Sequence, residues 1–284
     1  MDAGASLRYV PGARTLVYVT DIPTGFCMAR LSPTSISLVA LVLLSVDGLA
    51  QSVAAQPPSP SDPAMARQRA ADSALRNDYA NFARYRDANV QLGAPARGTK
   101  RVVFMGNSIT EGWVKYFPTM FSGKPYVGRG IGGQTTPQML VRFHADVVAL
   151  NPSVVVILGG TNDIAGNTGP SSVEMIEHNL QAMTEIAQAN RIRVVLSSVL
   201  PVYDYPWKRG LDPAAKIVAL NAWIKAYAAR VGAVYLDYHT AMRDERDGLR
   251  AALGDDGVHP NEAGYRIMST LAEAAIAEAL RRSK

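Results

Sequence analysis

A serine follows an apolar run after two intervening residues. The run Val102 to Met105 is followed by Gly106, Asn107 and then Ser108. A continuous β-forming run of this kind is typical of a central strand covered on both faces, and the glycine permits a tight turn into a helix. Ser108 is therefore expected at the carboxyl end of a strand, where open α/β sheets bind ligands. It is the candidate nucleophile, although a helix cap is an alternative interpretation.

Polar segments after other predicted strands supply further groups that acyl transfer from an ester requires. Asp256 precedes His259 by three residues, a spacing at which the acid could orient the imidazole. A histidine could take the serine proton because its reference pKa lies near neutrality. Gly133 could present a backbone N–H, and Asn162 a side-chain amide, to a developing oxyanion. Taken singly, each of these residues could equally be an ordinary turn or loop residue.

Other ionisable residues compete for the same roles. Asp255 is adjacent to Asp256 but lacks the three-residue spacing to the histidine. Asp163, which follows Asn162, is expected to be a structural hydrogen-bond acceptor. Structural or surface roles are expected for the remaining histidines, His144, His178 and His239.

Strand-like and helix-like runs alternate along the chain and predict a parallel sheet with helices on both faces. The predicted strands are Val102 to Met105, Tyr126 to Val127, Val154 to Leu158, Val194 to Ser198 and Ala233 to Leu236. The predicted helices are Ile109 to Met120, Pro137 to Leu150, Val173 to Ala189, Pro213 to Val231 and Asn261 to Arg281. A single amphipathic helix is expected over Ala64 to Gln91, packed on the domain without a chemical role.

Four blocks in this order resemble the SGNH hydrolases, also called GDSL esterases and lipases, from Lys100 to the C-terminus. The blocks are Gly106-Asn-Ser-Ile109, the glycine Gly133, Gly160-Thr-Asn-Asp163 and Asp256-Gly-Val-His259. The resemblance implies a flavodoxin-like three-layer α/β/α sandwich with a five-stranded parallel sheet and no cofactor or metal. Asn107 stands where the family name has an aspartate.

By this resemblance Ser108 is the nucleophile, His259 the general base and Asp256 the orienting acid. The oxyanion hole would consist of the Ser108 and Gly133 N–H groups and the Asn162 amide.

The predicted function is hydrolysis of short-chain acyl esters, acetyl above all, of a carbohydrate or other small polar alcohol. The loop Pro201 to Leu211 carries three aromatic residues beside the expected catalytic edge. Its rings could stack on the substrate or could anchor the loop to the core. The alternatives are action on longer acyl chains as a lysophospholipase or thioesterase, glycan O-acetyl transfer, and a non-catalytic carbohydrate-binding envelope protein.

The composition limits the number of domains and the kinds of partner and cysteine site that we expect. The 284 residues are 48% hydrophobic and 19% charged, which suffices for one globular domain with an N-terminal extension. The net charge of +5 arises without the charge runs of a nucleic-acid-binding tail, so no nucleic acid partner is expected. Cys27 is the only cysteine, which excludes an intramolecular disulfide and a cysteine metal cluster.

The N-terminal region has the pattern of a signal peptide. An apolar block over residues 36–44 follows the charged stretch at Met28 and precedes the small residues that end at Ala55. We expect translation to start at Met28 and cleavage to follow Ala55, which leaves no stable membrane span and a periplasmic or secreted protein. An uncleaved membrane anchor is the alternative. The predicted organisation is an upstream extension plus signal peptide (1–55), a linker and N-terminal helix (56–99) and an SGNH hydrolase domain (100–284).

Overall fold

Five parallel strands form one sheet in the computed structural model, which describes residues 63–282. The strands are β1 (Val102–Gly106), β2 (Tyr126–Gly130), β3 (Val154–Leu158), β4 (Arg193–Ser197) and β5 (Val234–Leu236). Their order in the sheet is β2-β1-β3-β4-β5, and every neighbouring pair is parallel. The predicted five-stranded parallel sheet is confirmed. The expected signal peptide, the start at Met28 and the cleavage after Ala55 lie outside the described residues.

Nine α-helices accompany these strands within residues 63–282. They are α1 (Pro63–Asn77), α2 (Ala83–Leu92), α3 (Ser108–Tyr116), α4 (Thr136–Asp146), α5 (Thr161–Ile164), α6 (Val173–Ala189), α7 (Pro213–Val231), α8 (Tyr238–Met242) and α9 (Glu262–Arg281). None of these helices is long and apolar enough to cross a membrane.

The period-two alternation of the strands divides the core between the two faces of the sheet. In β1, Val103 and Met105 belong to the cluster formed with α4, α6 and α7. Val102 and Phe104 belong to the other cluster, with α3, α8 and α9. The predicted three-layer α/β/α sandwich is therefore confirmed.

The prediction of one helix over Ala64 to Gln91 is wrong, because the helical conformation is interrupted between α1 and α2. The carboxylate of Asp78 accepts hydrogen bonds from the N–H groups of Phe82 at 2.8 Å and Ala83 at 3.0 Å. These bonds satisfy amide groups that the start of a helix leaves without a partner. The interruption makes α2 a separate helix, and none of its residues is fully buried.

The helix after β1 is shorter than predicted at its C-terminal end. It begins at Ser108 and ends at Tyr116 rather than Met120. Phe117 has φ −135° and ψ 58°, since a residue before proline is disfavoured in the α conformation. A short 3₁₀ turn, Pro118–Met120, follows.

Candidate active site

The turn between β1 and α3 places Ser108 at the carboxyl edge of the sheet. A side chain on Gly106 would bring a Cβ to 2.1 Å from Thr110 Oγ1, so the close approach of helix to strand requires glycine. Asn107 is buried, and its Oδ1 accepts a hydrogen bond from the Ile109 N–H at 3.1 Å. Asparagine and aspartate cap helices equally well, which explains how asparagine fits where the family name has aspartate.

The structure brings Ser108, His259 and Asp256 into one hydrogen-bonded row. Ser108 Oγ lies 2.9 Å from His259 Nε2, and His259 Nδ1 lies 2.6 Å from Asp256 Oδ2. The other carboxylate oxygen of Asp256 accepts from the backbone N–H groups of Val258 at 2.9 Å and His259 at 2.7 Å. Asp255 does not reach the imidazole; its Oδ1 lies 3.5 Å from the Asn261 amide.

These contacts affect the charge of Asp256. Burial alone would raise the pKa of Asp256, but hydrogen bonds from His259 and Val258 outweigh burial and hold the pKa below its usual value. Asp256 is thus ionised at neutral pH. With the Nδ1 proton directed at this carboxylate, Nε2 of His259 faces the Ser108 hydroxyl as an acceptor.

The turn Ile131 to Gln134, here called the oxyanion turn, has one backbone N–H without a partner among residues 63–282. The Ile131 N–H donates to the last carbonyl of β1, and the Gln134 N–H donates to the Ile131 carbonyl. Gly132 donates to Glu111 Oε2 at 2.9 Å. The N–H of Gly133 is the remaining donor, and its φ of 76° is in the left-handed region that favours glycine.

The segment after β3 places Asn162 beside the oxyanion turn. Its side-chain amide is buried and donates one hydrogen to the Gln134 carbonyl at 2.9 Å, which leaves the second amide hydrogen for a ligand. Asp163 faces the other way and accepts from the N–H and the hydroxyl of Thr136. Burial raises the pKa of Asp163 to about 6 against the opposing effect of these hydrogen bonds. Asp163 therefore joins α5 to the start of α4.

The three rings of the loop Pro201 to Leu211 have different surroundings. Tyr205 is buried, and its hydroxyl donates to the Thr161 carbonyl at 2.8 Å. Trp207 is 48% exposed, and its ring centroid lies 6.1 Å from that of His259. Tyr203 is also exposed and contacts the guanidinium of Arg246. The loop is thus anchored by one ring and presents another beside the imidazole.

The other histidines lie apart from this row. His239 is buried, and burial lowers its pKa. His178 is exposed on α6, with Nε2 at 3.9 Å from a carboxylate oxygen of Glu174, and His144 is exposed on α4. Within the described part of the chain, no three His, Cys, Asp or Glu side chains are grouped as metal ligands would be.

Sequence reasoning missed the buried Arg142 of α4. Its guanidinium donates to the carbonyls of Gly106 and Arg129 and to the side chains of Gln134 and Asp146. Burial lowers the pKa of Arg142 below its usual value, and the hydrogen bond and the charge of Asp146 oppose this shift without cancelling it. These bonds tie the ends of β1 and β2 to the oxyanion turn. The only sequence signal was an arginine four residues before an acid in a predicted helix.

A cleft of about 1100 Å³ opens beside Ser108 and His259 and runs between α2 and α3 along the edge strand β2. Apolar and aromatic side chains from both helices line it, among them Tyr85, Leu92 and Val114. The wall that α2 provides was not predicted from the sequence.

Comparisons with known proteins identify a family and several relatives of this chain. The GDSL-like lipase/acylhydrolase family matches residues 104–267. A solved GDSL-like lipase from Bacteroides thetaiotaomicron is 46% identical with a TM-score of 0.69, and the similarity covers 71% of this chain and 99% of the lipase. An acetylxylan esterase from Xylanibacter ruminicola is 26% identical over 221 residues, 65% of this chain and 45% of the esterase. An uncharacterised lipoprotein of Bacillus subtilis is 28% identical over 191 residues, 61% of this chain and 77% of the lipoprotein.

Proposed function

This chain belongs to the GDSL-like lipase/acylhydrolase family, the SGNH hydrolases, and is a carboxylic ester hydrolase; we propose that it releases short acyl groups, acetyl above all, from a carbohydrate or other small polar alcohol. The observation that carries the proposed mechanism is the row of contacts from Ser108 through His259 to Asp256. The acetylxylan esterase relative supports the choice of substrate.

In the proposed mechanism Ser108 Oγ attacks the ester carbonyl while His259 Nε2 takes its proton. Asp256 holds the imidazole and stabilises the imidazolium that forms. The tetrahedral oxyanion accepts hydrogen bonds from the N–H groups of Ser108 and Gly133 and from the Asn162 amide.

The proton on His259 then passes to the alcohol oxygen, which leaves, and Ser108 remains acylated. Water attacks this acyl-enzyme with His259 again acting as base. Collapse of the second tetrahedral intermediate releases the carboxylic acid and restores the Ser108 hydroxyl.

The cleft supports a second candidate, hydrolysis of longer acyl esters. Apolar side chains such as Leu92 and Val114 line part of the cleft that contains Ser108, and an acyl chain would bury apolar surface there. Transfer of acetyl to a glycan would use the same acyl-enzyme, with a sugar hydroxyl in place of water. The family assignment gives no support to a non-catalytic carbohydrate-binding protein.

We also propose that the protein is exported and acts in the periplasm or outside the cell. The order of charged stretch, apolar block and small residues before Ala55 supports this location. Similarity to a lipoprotein is compatible with it.

A chain-length profile tests the proposed substrate. We expect kcat/KM on 4-nitrophenyl esters to be highest for acetate and to fall as the acyl chain lengthens from two to twelve carbons. Acetylated xylo-oligosaccharides should release acetate, and Ser108→Ala should lose activity on all of these esters by several orders of magnitude while folding normally. A profile that rises toward long chains would favour the second candidate, and near-wild-type turnover by Ser108→Ala would refute the mechanism.

A further inference from the structure

Residues 80–92, here called the N-terminal segment, include α2 and contact the oxyanion turn and the residues next to it. The Gln134 side chain donates to the carbonyl of Ala80 at 2.8 Å, and the Tyr85 hydroxyl donates to the carbonyl of Gly130. Arg84 Nη2 donates to Glu111 Oε1 at 2.9 Å. The family match begins at residue 104, so Ala80 and the α2 residues Arg84 and Tyr85 contribute these contacts from outside the matched region.

Glu111 connects this segment to the peptide next to the nucleophile. One carboxylate oxygen accepts from Arg84, and the other accepts from the Gly132 N–H at 2.9 Å. A Cβ on Gly132 would lie 3.9 Å from Ser108 Cβ, so this peptide is adjacent to the nucleophile. Because Gly132 precedes Gly133 directly, a rotation of its backbone would redirect the Gly133 N–H.

The charges of the pair also matter at this position. A carboxylate close to a forming oxyanion would disfavour the transition state through like-charge repulsion, and the guanidinium of Arg84 offsets that charge. The two side chains are 50% and 34% exposed. A pair this exposed contributes little to folding, so its removal leaves the fold intact and changes the local geometry and charge.

We propose that Arg84 and Glu111 are positioning residues for catalysis: Glu111 holds the Gly132 N–H and thereby orients the next peptide, whose Gly133 N–H is directed at the oxyanion, and Arg84 of α2 fixes Glu111. This inference rests on the proposed function, because it assigns the oxyanion contact to Gly133. It gives the N-terminal segment a part in the chemistry of the site.

Arg84→Met tests the proposal, with Arg86→Met as the matched control. Arg86 lies on the same helix in an exposed pair with Asp87 and contributes no contact to the oxyanion turn. On 4-nitrophenyl acetate we expect Arg84→Met to lower kcat on the order of tenfold, less than the loss of a whole oxyanion donor, with KM nearly constant. Arg86→Met should match the wild type.

Variants of Glu111 separate positioning from a merely structural role. Glu111→Gln keeps an oxygen for the Gly132 N–H and should retain more of kcat than Glu111→Ala. In the Glu111→Ala background, Arg84→Met should have no further effect, because residues that act through one another are not additive. Hydrogen exchange of the Gly132 amide should be faster in Arg84→Met and Glu111→Ala than in the wild type.

Unchanged kcat and unchanged Gly132 exchange in Arg84→Met would overturn the proposal. A rise in KM at constant kcat would also overturn it, because Arg84 would then be a substrate contact. If the wild type fails to hydrolyse the ester, or if Ser108→Ala retains activity, the proposed function fails instead, and the exchange of the Gly132 amide still decides the positioning role.

Discussion

Removal of the Asn162 amide is the most direct test of the oxyanion hole. Of the three proposed donors, only Asn162 acts through a side chain, so only this donor is removed by simple substitution. Loss of one such donor typically lowers kcat by on the order of 10²–10³, or about 2.7–4 kcal/mol. We expect Asn162→Ala to fall in this range with KM little changed, because the amide faces charge that develops only in the transition state.

The same substitution has a separate effect on stability. The Asn162 amide donates to the Gln134 carbonyl, and a buried acceptor left without its partner costs about 1–3 kcal/mol. Kinetics should therefore be measured well below the melting temperature of the variant, and calorimetry gives that temperature. A loss of kcat that persists at temperatures where the variant is fully folded belongs to the transition state.

Asn167→Ala is the matched control for this experiment. Its side-chain amide donates to the Gly133 carbonyl at 3.1 Å and is exposed, so the control removes a support of the same turn without removing a proposed donor. We expect a loss of kcat smaller than that of Asn162→Ala. A serine-directed fluorophosphonate should still label Ser108 in both variants, more slowly in Asn162→Ala. A sharp rise in KM with kcat intact would make Asn162 a ground-state substrate contact and refute its assignment.

Three further predictions concern export, pH and substrate recognition. A chain begun at Met28 should be exported with an N-terminus just after Ala55, as N-terminal sequencing of the mature protein will show; a retained residue 1 on active cytoplasmic protein would contradict this. Burial raises the pKa of Asp163 from 3.8 to about 6. Between these two pH values the native state therefore keeps a proton on Asp163 that the unfolded chain has released. The free energy of unfolding should therefore fall between about pH 4 and pH 6 by on the order of 3 kcal/mol, and urea titrations of the wild type against Asp163→Asn should show that slope only in the wild type. Trp207→Ala should raise KM for acetylated xylo-oligosaccharides more than for 4-nitrophenyl acetate, because its exposed ring lies beside the His259 imidazole. Equal KM changes for both substrates would contradict stacking on sugar.

The strands were predictable where burial on both faces demanded unbroken apolar runs. In β3, all five residues from Val154 to Leu158 are buried. In contrast, β2 extends to Gly130 although its predicted end was Val127. The extra residues include glycines that lack strand propensity. A Cβ on Gly130 would lie 2.2 Å from the Glu111 nitrogen, so packing of α3 selects glycine there against local preference.

Some residues of the candidate site could likewise be predicted from local sequence, whereas others depend on contacts between distant segments. Ser108, Asn162 and His259 stand in short segments next to strands or helix starts, so their approach to one another follows from the parallel sheet. The roles of Arg142 and Glu111 have no such signal, because each depends on a contact between segments that meet only after the helices dock: Arg142 with the Gly106 carbonyl, and Glu111 with Arg84 and the Gly132 N–H. An arginine followed four residues later by an acid usually indicates an exposed helical pair, whereas Arg142 is fully buried.

The docking of α2 also explains why its role depends on polar contacts. No residue of α2 is fully buried, so the hydrophobic term that holds the other helices is small here. Half-buried Leu92 packs on the core, and the other contacts include hydrogen bonds of Asn89, which joins Arg129 of β2 at 2.8 Å and Asp146 of α4 at 2.7 Å. Elements held in this way open locally at low free energy. Detachment of α2 would remove one wall of the cleft and the Arg84 contact to Glu111 together, so under the proposed mechanism it would change substrate access and oxyanion geometry at once.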